Sequence, residues 1–534
     1  MNIGEKISKL RKENGLSQEA FAEMLGVSRQ SVSKWESGTA TPDIDKIVAM
    51  SKIFNISTDS LLKEDEQAEK PFSSEADTAP FEPVTAEQIS EKPTHKKGGK
   101  KPVIKIVAAI LALCIVITAI ALPVRYGGIR EAWWEICGGK VQYPYVLVHG
   151  LGGWGEGDGI NDTVQYWGAT ACNLTEQLTE NGYEVYAPSV GPFSSAWDRA
   201  CELYAQLTGT TVDYGEAHSK HHNHARYGEK FTQPLFEGWG TKINGGQRIK
   251  INLVGHSFGG ATVRLLASLL EYGSEAEIEE SGKDVSPLFE GGKGNWVNSV
   301  TALCAPHNGS SLTCILDGIG GLVGVDSITE LLVDLCFNLS GVTSSASGVY
   351  DFNLGHFGVD EINGDKSDIE DAVSGLIDSG TDNAVYDLSP DGAAELNGII
   401  QTVPDVYYFS YAYSTTREAS FLSGYKPNLS TLPILLPVAL AMGNYKGTTD
   451  GGIEIGEEWQ DNDGLVNVIS ARYPFDEEYV EINDGEETEY ERGVWYVAPT
   501  REGDHGTVIG LNAEEKPTID FFVELLELTD SLKR

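Results

Sequence analysis

The sequence predicts a multidomain chain: an all-α helix-turn-helix domain, a single transmembrane helix, then an α/β domain built on a mostly parallel sheet. Three observations predict this. Residues 1–66 read as short amphipathic helices with a tight glycine turn between two of them. From Ile106 to Leu122 no residue is charged. Beyond Gln142, β-rich runs recur at intervals of 40 residues or more, with helical stretches between them. At 534 residues the chain exceeds one ordinary domain.

In the first segment, "IGEKISKLRKENG" places Ile3, Ile7 and Leu10 on one face and stops at Gly15. "SQEAFAEMLGVSRQSVSKWESG" follows. Ser17 caps a helix whose Phe21, Met24 and Leu25 point inward, Gly26 makes the turn, and Ser28 caps a second helix carrying Val32 and Trp35 inward. "TPDIDKIVAMSKIFNISTDSLL" supplies packing helices. The segment resembles the repressor-type (XRE, Cro/repressor-like) helix-turn-helix family, most specifically in "GVSRQSVSKWESG". The resemblance implies that residues 1–66 bind DNA, with the second helix in the major groove. By position, Arg29, Gln30 and Lys34 would face base edges and Gln18 the phosphate backbone. Through residue 64 nine Lys+Arg balance nine Asp+Glu, so no basic footprint marks the segment. The alternative is a helix bundle that kept the fold and binds a protein.

Residues 67–102 read as a disordered linker, rich in Glu, Pro, Ser and Ala and ending in lysines. Residues 103–124 read as the transmembrane helix. Lys96, Lys97, Lys100, Lys101 and Lys105 precede it, and only two arginines follow closely. That bias predicts a single-pass protein of the cell membrane, its N-terminus cytoplasmic and its C-terminal domain extracellular. "AIA" at 119–121 resembles a signal-peptidase site, so a cleaved, secreted C-terminal part is the alternative. The net charge is −40, yet residues 1–105 hold 16 Lys+Arg and 17 Asp+Glu, so nearly all the acidity lies beyond the apolar run. The seven cysteines show no CxxC or ladder spacing and read as buried free thiols.

The third segment, 140–534, runs through "YPYVLVHG", "GYEVYAPSV", "RIKINLVGHS", "WVNSVTALCAPH" and "DVYYFSYAYS". The third run leads into "GHSFGGATVRLLASLL". A G-x-S-x-G pentapeptide is weak alone. Between a buried strand and an amphipathic helix it reads as the elbow that exposes a nucleophilic serine, Ser257. The base should follow the serine near the C-terminus. His505, in "TREGDHGTVIG" before a terminal helix, is the best candidate, and Asp463 in "WQDNDGLVNVISA" would orient it. The N–H groups of Phe258, after the nucleophile, and Leu151, in the "HGLGG" turn, would form an oxyanion hole.

Residues 142–534 resemble the large lipases of Gram-positive bacteria, the staphylococcal and Geobacillus triacylglycerol lipases, an α/β-hydrolase family. The shared words include "YPYVLVHGLGGWG", "GPFSSAWDRACELYAQLTGTTVDYGEAHSKHHNHARYG", "APHNGSSL" and "NDGLVNVISA". The resemblance implies a lipid ester substrate, the triad Ser257, Asp463 and His505, and a lid, which the apolar 316–341 stretch would supply. It also implies a structural zinc held by Asp198, His218, His224 and Asp382. Calcium is not expected. The family's acidic calcium ligands fall on Thr507, Asn512 and Ala513, which offer no carboxylate. Together these readings describe a membrane-anchored lipase with a cytoplasmic DNA-binding domain. The alternatives are a lipid-sensing transmembrane regulator with little turnover and the cleaved, secreted lipase.

Overall fold

A computed structural model describes residues 3–13, Gln18, Phe21, Val32, Lys34 and Trp35, and residues 142–533 except 163, 243–245, 317–352, 358–365, 379, 420–423 and 484–487. The chain divides into two compact units, Met1–Gly99 and Lys100–Arg534.

In the first unit, helix α1 spans Ile3–Glu13. Ile7, Phe21 and Val32 are fully buried and Trp35 nearly so, as the apolar spacing predicts. Gln18 and Lys34 are helical, and Lys34 is exposed. Arg29 and Gln30 lie outside the described residues.

Among the described residues no helix is long and apolar enough to cross a membrane. This corrects the expected transmembrane helix, and with it the single-pass topology, the membrane partner and the cell-membrane localisation built upon it. The longest described helix, Glu515–Ser531, buries Phe521, Phe522, Leu525 and Leu526, while Lys516, Asp520, Glu524 and Glu527 face solvent. The runs 67–102 and 103–124 lie outside the described residues.

In the second unit seven strands form one sheet: β1 (Tyr145–Val148), β2 (Val185–Tyr186), β3 (Ile251–His256), β4 (Val297–Leu303), β5 (Tyr407–Tyr411), β6 (Tyr479–Glu481) and β7 (Trp495–Val497). Their order is β6-β7-β5-β4-β3-β1-β2, and every pairing is parallel. Parallel strands buried on both faces read as continuous apolar runs, and β1, β3 and β4 are buried at every position. Side chains still alternate. Val146 and Val148 join the core under helices α2 (Ala196–Thr208) and α4 (Gly259–Tyr272). Tyr145 and Leu147 join the opposite core, against the terminal helix α5 (Glu515–Ser531). Helices on both faces follow from the crossovers that parallel strands require. The short helix α3 (Glu216–His222) belongs to an insertion outside the sheet, beside the antiparallel pair Thr211–Asp213 and Tyr227–Lys230. Strands β6 and β7 were not expected from the sequence. They are three residues each, and β6 lies exposed at the sheet edge, where nothing imposes an apolar run. Cys172, Cys201, Cys304 and Cys314 are free thiols, Cys201 and Cys304 buried as expected and Cys172 and Cys314 only partly so.

Candidate active site

Strand β3 ends at His256 and α4 begins at Gly259, so Ser257 occupies a two-residue turn. Its φ is +55°, a left-handed value that costs a non-glycine residue energy. The flanking glycines are sterically required. A Cβ on Gly255 would lie 2.3 Å from the Gly259 carbonyl oxygen, and one on Gly259 would lie 2.2 Å from that of Val148. The G-x-S-x-G pattern is therefore the sequence cost of bringing strand, turn and helix this close.

His505 follows β7 and is delivered by the turn before α5. Its Nδ1 donates to Asp463 Oδ2 at 2.8 Å, and its backbone N–H donates to the Asp463 carbonyl at 2.8 Å. Asp463 Oδ1 accepts from the backbone of Leu465 and Val466 at 3.0 and 2.7 Å. Both carboxylate oxygens are thus bonded, which fixes the imidazole with Nε2 directed elsewhere. Ser257 and His505 line one cavity of about 120 Å³ whose walls include Leu151, Leu312, Leu388 and Ile509. Leu151 lies in the turn after β1, and a Cβ on the adjacent Gly150 would come within 2.6 Å of Ser257 Cβ. Phe258 opens α4, where the first N–H groups have no intrahelical partner. The sequence-derived serine, acid, base and two donor positions therefore converge on one place.

Two residues that sequence reasoning missed hold this arrangement. The Gly150 N–H donates to Tyr166 Oη at 2.8 Å, and Tyr166 in turn donates to His256 Nδ1 at 2.6 Å. His256 Nε2 donates to the His505 carbonyl at 3.0 Å. One chain of bonds thereby ties the Leu151 turn to the base. Arg199 reaches from α2 to the carbonyl oxygens of His149 and Gly191, and to Thr262 Oγ1. Neither residue has a local motif. Arg199 is adjacent to Asp198 in "WDRACE", a word read only for its carboxylate. Burial holds His256 well below the ordinary histidine range, aided by His505, and burial with Arg199 lowers His149 to about 3. Both stay neutral and serve as bonding groups.

A second cluster brings the insertion together with α2 and the segment around Asp382. Asp198 stands in the first turn of α2, His218 in α3, His224 just beyond it, and Asp382 before the helix Ala384–Leu388. The six-residue histidine spacing crosses the end of α3, where Asn223 turns the chain with φ +58°. One donor atom from each residue lies within 4.8 Å of the others. His218 Nε2 is 3.2 Å from Asp198 Oδ1 and 3.4 Å from Asp382 Oδ1, and His224 Nε2 is 3.2 Å from Asp382 Oδ2. Asp198 Oδ1, His218 Nε2, His224 Nε2 and Asp382 Oδ2 are all buried without a hydrogen-bond partner. Four orphaned donors facing one point, two imidazole and two carboxylate, fit a tetrahedral Zn²⁺. His356 was also missed. Its Nε2 lies 2.9 Å from Asp198 Oδ2, and its Nδ1 lies 3.2 Å from Tyr214 Oη. It fixes the orientation of Asp198 from behind.

Two of the three positions expected to have lost calcium ligands make side-chain bonds within the protein. Thr507 Oγ1 donates to Asp504, and the Asn512 side chain donates to the Ser430 carbonyl. Of the expected lid, 316–341, only Leu316 is described, and it lines the cavity.

Comparison with known proteins locates two families on the chain. Residues 141–527 match the profile of a lipase-like C-terminal domain, and residues 7–61 match that of a helix-turn-helix. A lipase of Staphylococcus epidermidis is 34% identical over 380 residues, covering 70% of this chain and 50% of its own length. Lipase 1 of Staphylococcus aureus is 33% identical over 384 residues, covering 70% and 52%. The chain thus spans about half the length of the curated relatives it matches. Among solved structures, EstA of Clostridium botulinum superposes with a TM-score of 0.65 at 33% identity, covering 74% of this chain and 88% of its own. Lipase 1 of Pelosinus fermentans gives 0.63 at 35% identity, covering 74% and 100%.

Proposed function

We propose that this chain, which belongs to the family of lipase-like C-terminal domains, hydrolyses carboxylic ester bonds of lipids, and that its N-terminal helix-turn-helix binds DNA. The observation that carries the first part is the Asp463–His505 pair beside a serine held at φ +55° in an apolar cavity. In the reaction Ser257 Oγ attacks the ester carbonyl, and His505 Nε2 takes the serine proton. Asp463 keeps the remaining imidazole proton on Nδ1 and stabilises the cation that forms. The N–H groups of Leu151 and Phe258 receive the oxyanion. His505 then returns its proton to the leaving alkoxide, and water repeats the sequence on the acyl-serine. Aliphatic walls suit the acyl chain of a lipid better than a polar acid. The test is hydrolysis of an ester series of increasing acyl length by the full chain and by Ser257→Ala. Turnover that survives the substitution overturns the assignment.

Zinc, when bound by Asp198, His218, His224 and Asp382, would act as a structural cross-link, supplying no chemistry at the ester. Its support is the set of four orphaned donors. It would join α2, the insertion and the Asp382 segment. The DNA contacts assigned to Gln18, Arg29, Gln30 and Lys34 are tested by selecting bound fragments from random duplex. Arg29→Ala should relax sequence preference, costing about 1–3 kcal/mol at one base pair. The absence of any selected sequence favours the protein-binding alternative.

A further inference from the structure

Among the described residues one more group of metal-type donors stands out, and it overlaps the active site. Cys304 Sγ, an Asp463 carboxylate oxygen and a His505 ring nitrogen all lie within 4.8 Å of one another, and all three residues are buried. Cys304 follows β4 directly. It has φ +51°, in the left-handed region, and its N–H donates to the Tyr411 carbonyl at 2.8 Å. Its Sγ faces the Asp463–His505 pair at no more than 4.8 Å from either donor. Nothing in the proposed ester chemistry uses a thiol there.

We propose that Cys304, Asp463 and His505 form a second, inhibitory site for a thiophilic divalent cation, zinc or cadmium. One sulfur, one nitrogen and one oxygen donor suit Zn²⁺, with water as the fourth ligand. Such an ion holds its donors roughly 3.2–3.8 Å apart, given bonds of about 2.0–2.3 Å. The Asp463–His505 bond of 2.8 Å therefore opens only slightly to admit it. Burial, with the charge of Asp463, keeps the Cys304 thiol protonated, so the cation displaces that proton to solvent. The imidazole keeps its one proton but shifts it from Nδ1 to Nε2, because Nδ1 now binds the metal. The loaded site is neutral: two positive charges against one thiolate and one carboxylate. With Nε2 protonated, His505 cannot accept the proton of Ser257, and hydrolysis stops. The inhibition rests on the triad reading given above; the binding does not.

The experiment titrates cadmium into the full chain already carrying one zinc equivalent. It follows ester hydrolysis together with the ultraviolet thiolate-to-cadmium absorption. The expected result is one further equivalent bound with that absorption, and turnover lower by roughly 10³–10⁴-fold, the cost of a wrong histidine tautomer. A stronger chelator should restore it. Cys304→Ala should lose the absorption and keep hydrolysing in cadmium. Cys304→Gly, which accepts a left-handed backbone without strain, serves if the alanine variant does not fold. Cadmium that inhibits these variants as it does the parent overturns the proposal, as does a parent without thiolate absorption. Absorption that depends on Cys304 in a chain that never hydrolyses esters would support the metal site and refute the triad reading instead.

Discussion

The Ser257 site and the Asp198 cluster are built from the same residue types, histidine and aspartate, yet they differ in what satisfies them. At the first, Asp463 places one oxygen on two backbone N–H groups and the other on His505, so its charge is answered within the protein. At the second, four buried donors face one another and none finds a partner. Burial works against a charge on His218, but the facing carboxylates of Asp198 and Asp382 outweigh it and push the group up to about 10. The cluster thus draws positive charge to its centre, whereas the Asp463 carboxylate already finds hydrogen-bond partners on both oxygens. One constellation is finished by hydrogen bonds and positions a proton. The other is left open and fits a cation.

The sharpest way to break that contrast is to remove the nucleophile. Ser257→Ala should lower ester turnover by several orders of magnitude, on the order of 10⁶ where a complete triad operates. Melting temperature and zinc content should stay at the parent's values, since Ser257 touches nothing in the cluster. His224→Ala should act in the opposite sense. Elemental analysis should show loss of about one zinc equivalent, and thermal unfolding should show loss of about 3 kcal/mol when free zinc stands a hundredfold above Kd. Ester hydrolysis at low temperature should remain. A parent protein purified without chelators and free of zinc would erase the contrast altogether. A smaller effect is expected from His356→Phe, which keeps the ring but removes its bond to Asp198. Zinc affinity, read by competition with a chromophoric chelator, should fall roughly 10–100-fold without loss of the site. Unchanged affinity would reduce His356 to a packing residue. The smallest effect concerns calcium. A calcium chelator too weak to strip zinc should leave the melting temperature unmoved, because Thr507, Asn512 and Ala513 supply no carboxylate. A fall reversed only by calcium would show a cation site built from other residues.

The two sites were also legible to different degrees. Ser257, Asp463 and His505 could be read in order along the chain because Ser257 stands at the end of a strand, His505 follows the last strands, and Asp463 lies in a loop between them. The α/β pattern fixes where such ends gather. The metal cluster had no such reading. A six-residue histidine spacing belongs to no regular element, and Asp198 and Asp382 are 184 positions apart. Only the resemblance to a family picked them out. Tyr166, Arg199 and His356 escaped both routes, since their work is to bond backbone or carboxylate atoms that sequence does not place nearby. The transmembrane expectation shows the converse. An uncharged run is a statement about composition, and among the described residues no helix has the length and apolarity to bear it out.

By itself, the sequence determined the local chemistry. It set the glycines that let the Ser257 turn close, the apolar runs that become buried parallel strands, and the helix-turn-helix spacing of Phe21, Val32 and Trp35. These follow from sterics and periodicity over a few residues, which a linear chain records directly. Tertiary structure alone decided which donors meet. It left four atoms of the Asp198 cluster without partners, bonded Tyr166 through His256 to the His505 carbonyl, and set a left-handed Cys304 against the acid of the triad. Those outcomes depend on distances between segments well separated in the chain, and such distances are fixed only when the sheet has ordered its strands and the helices have packed upon it.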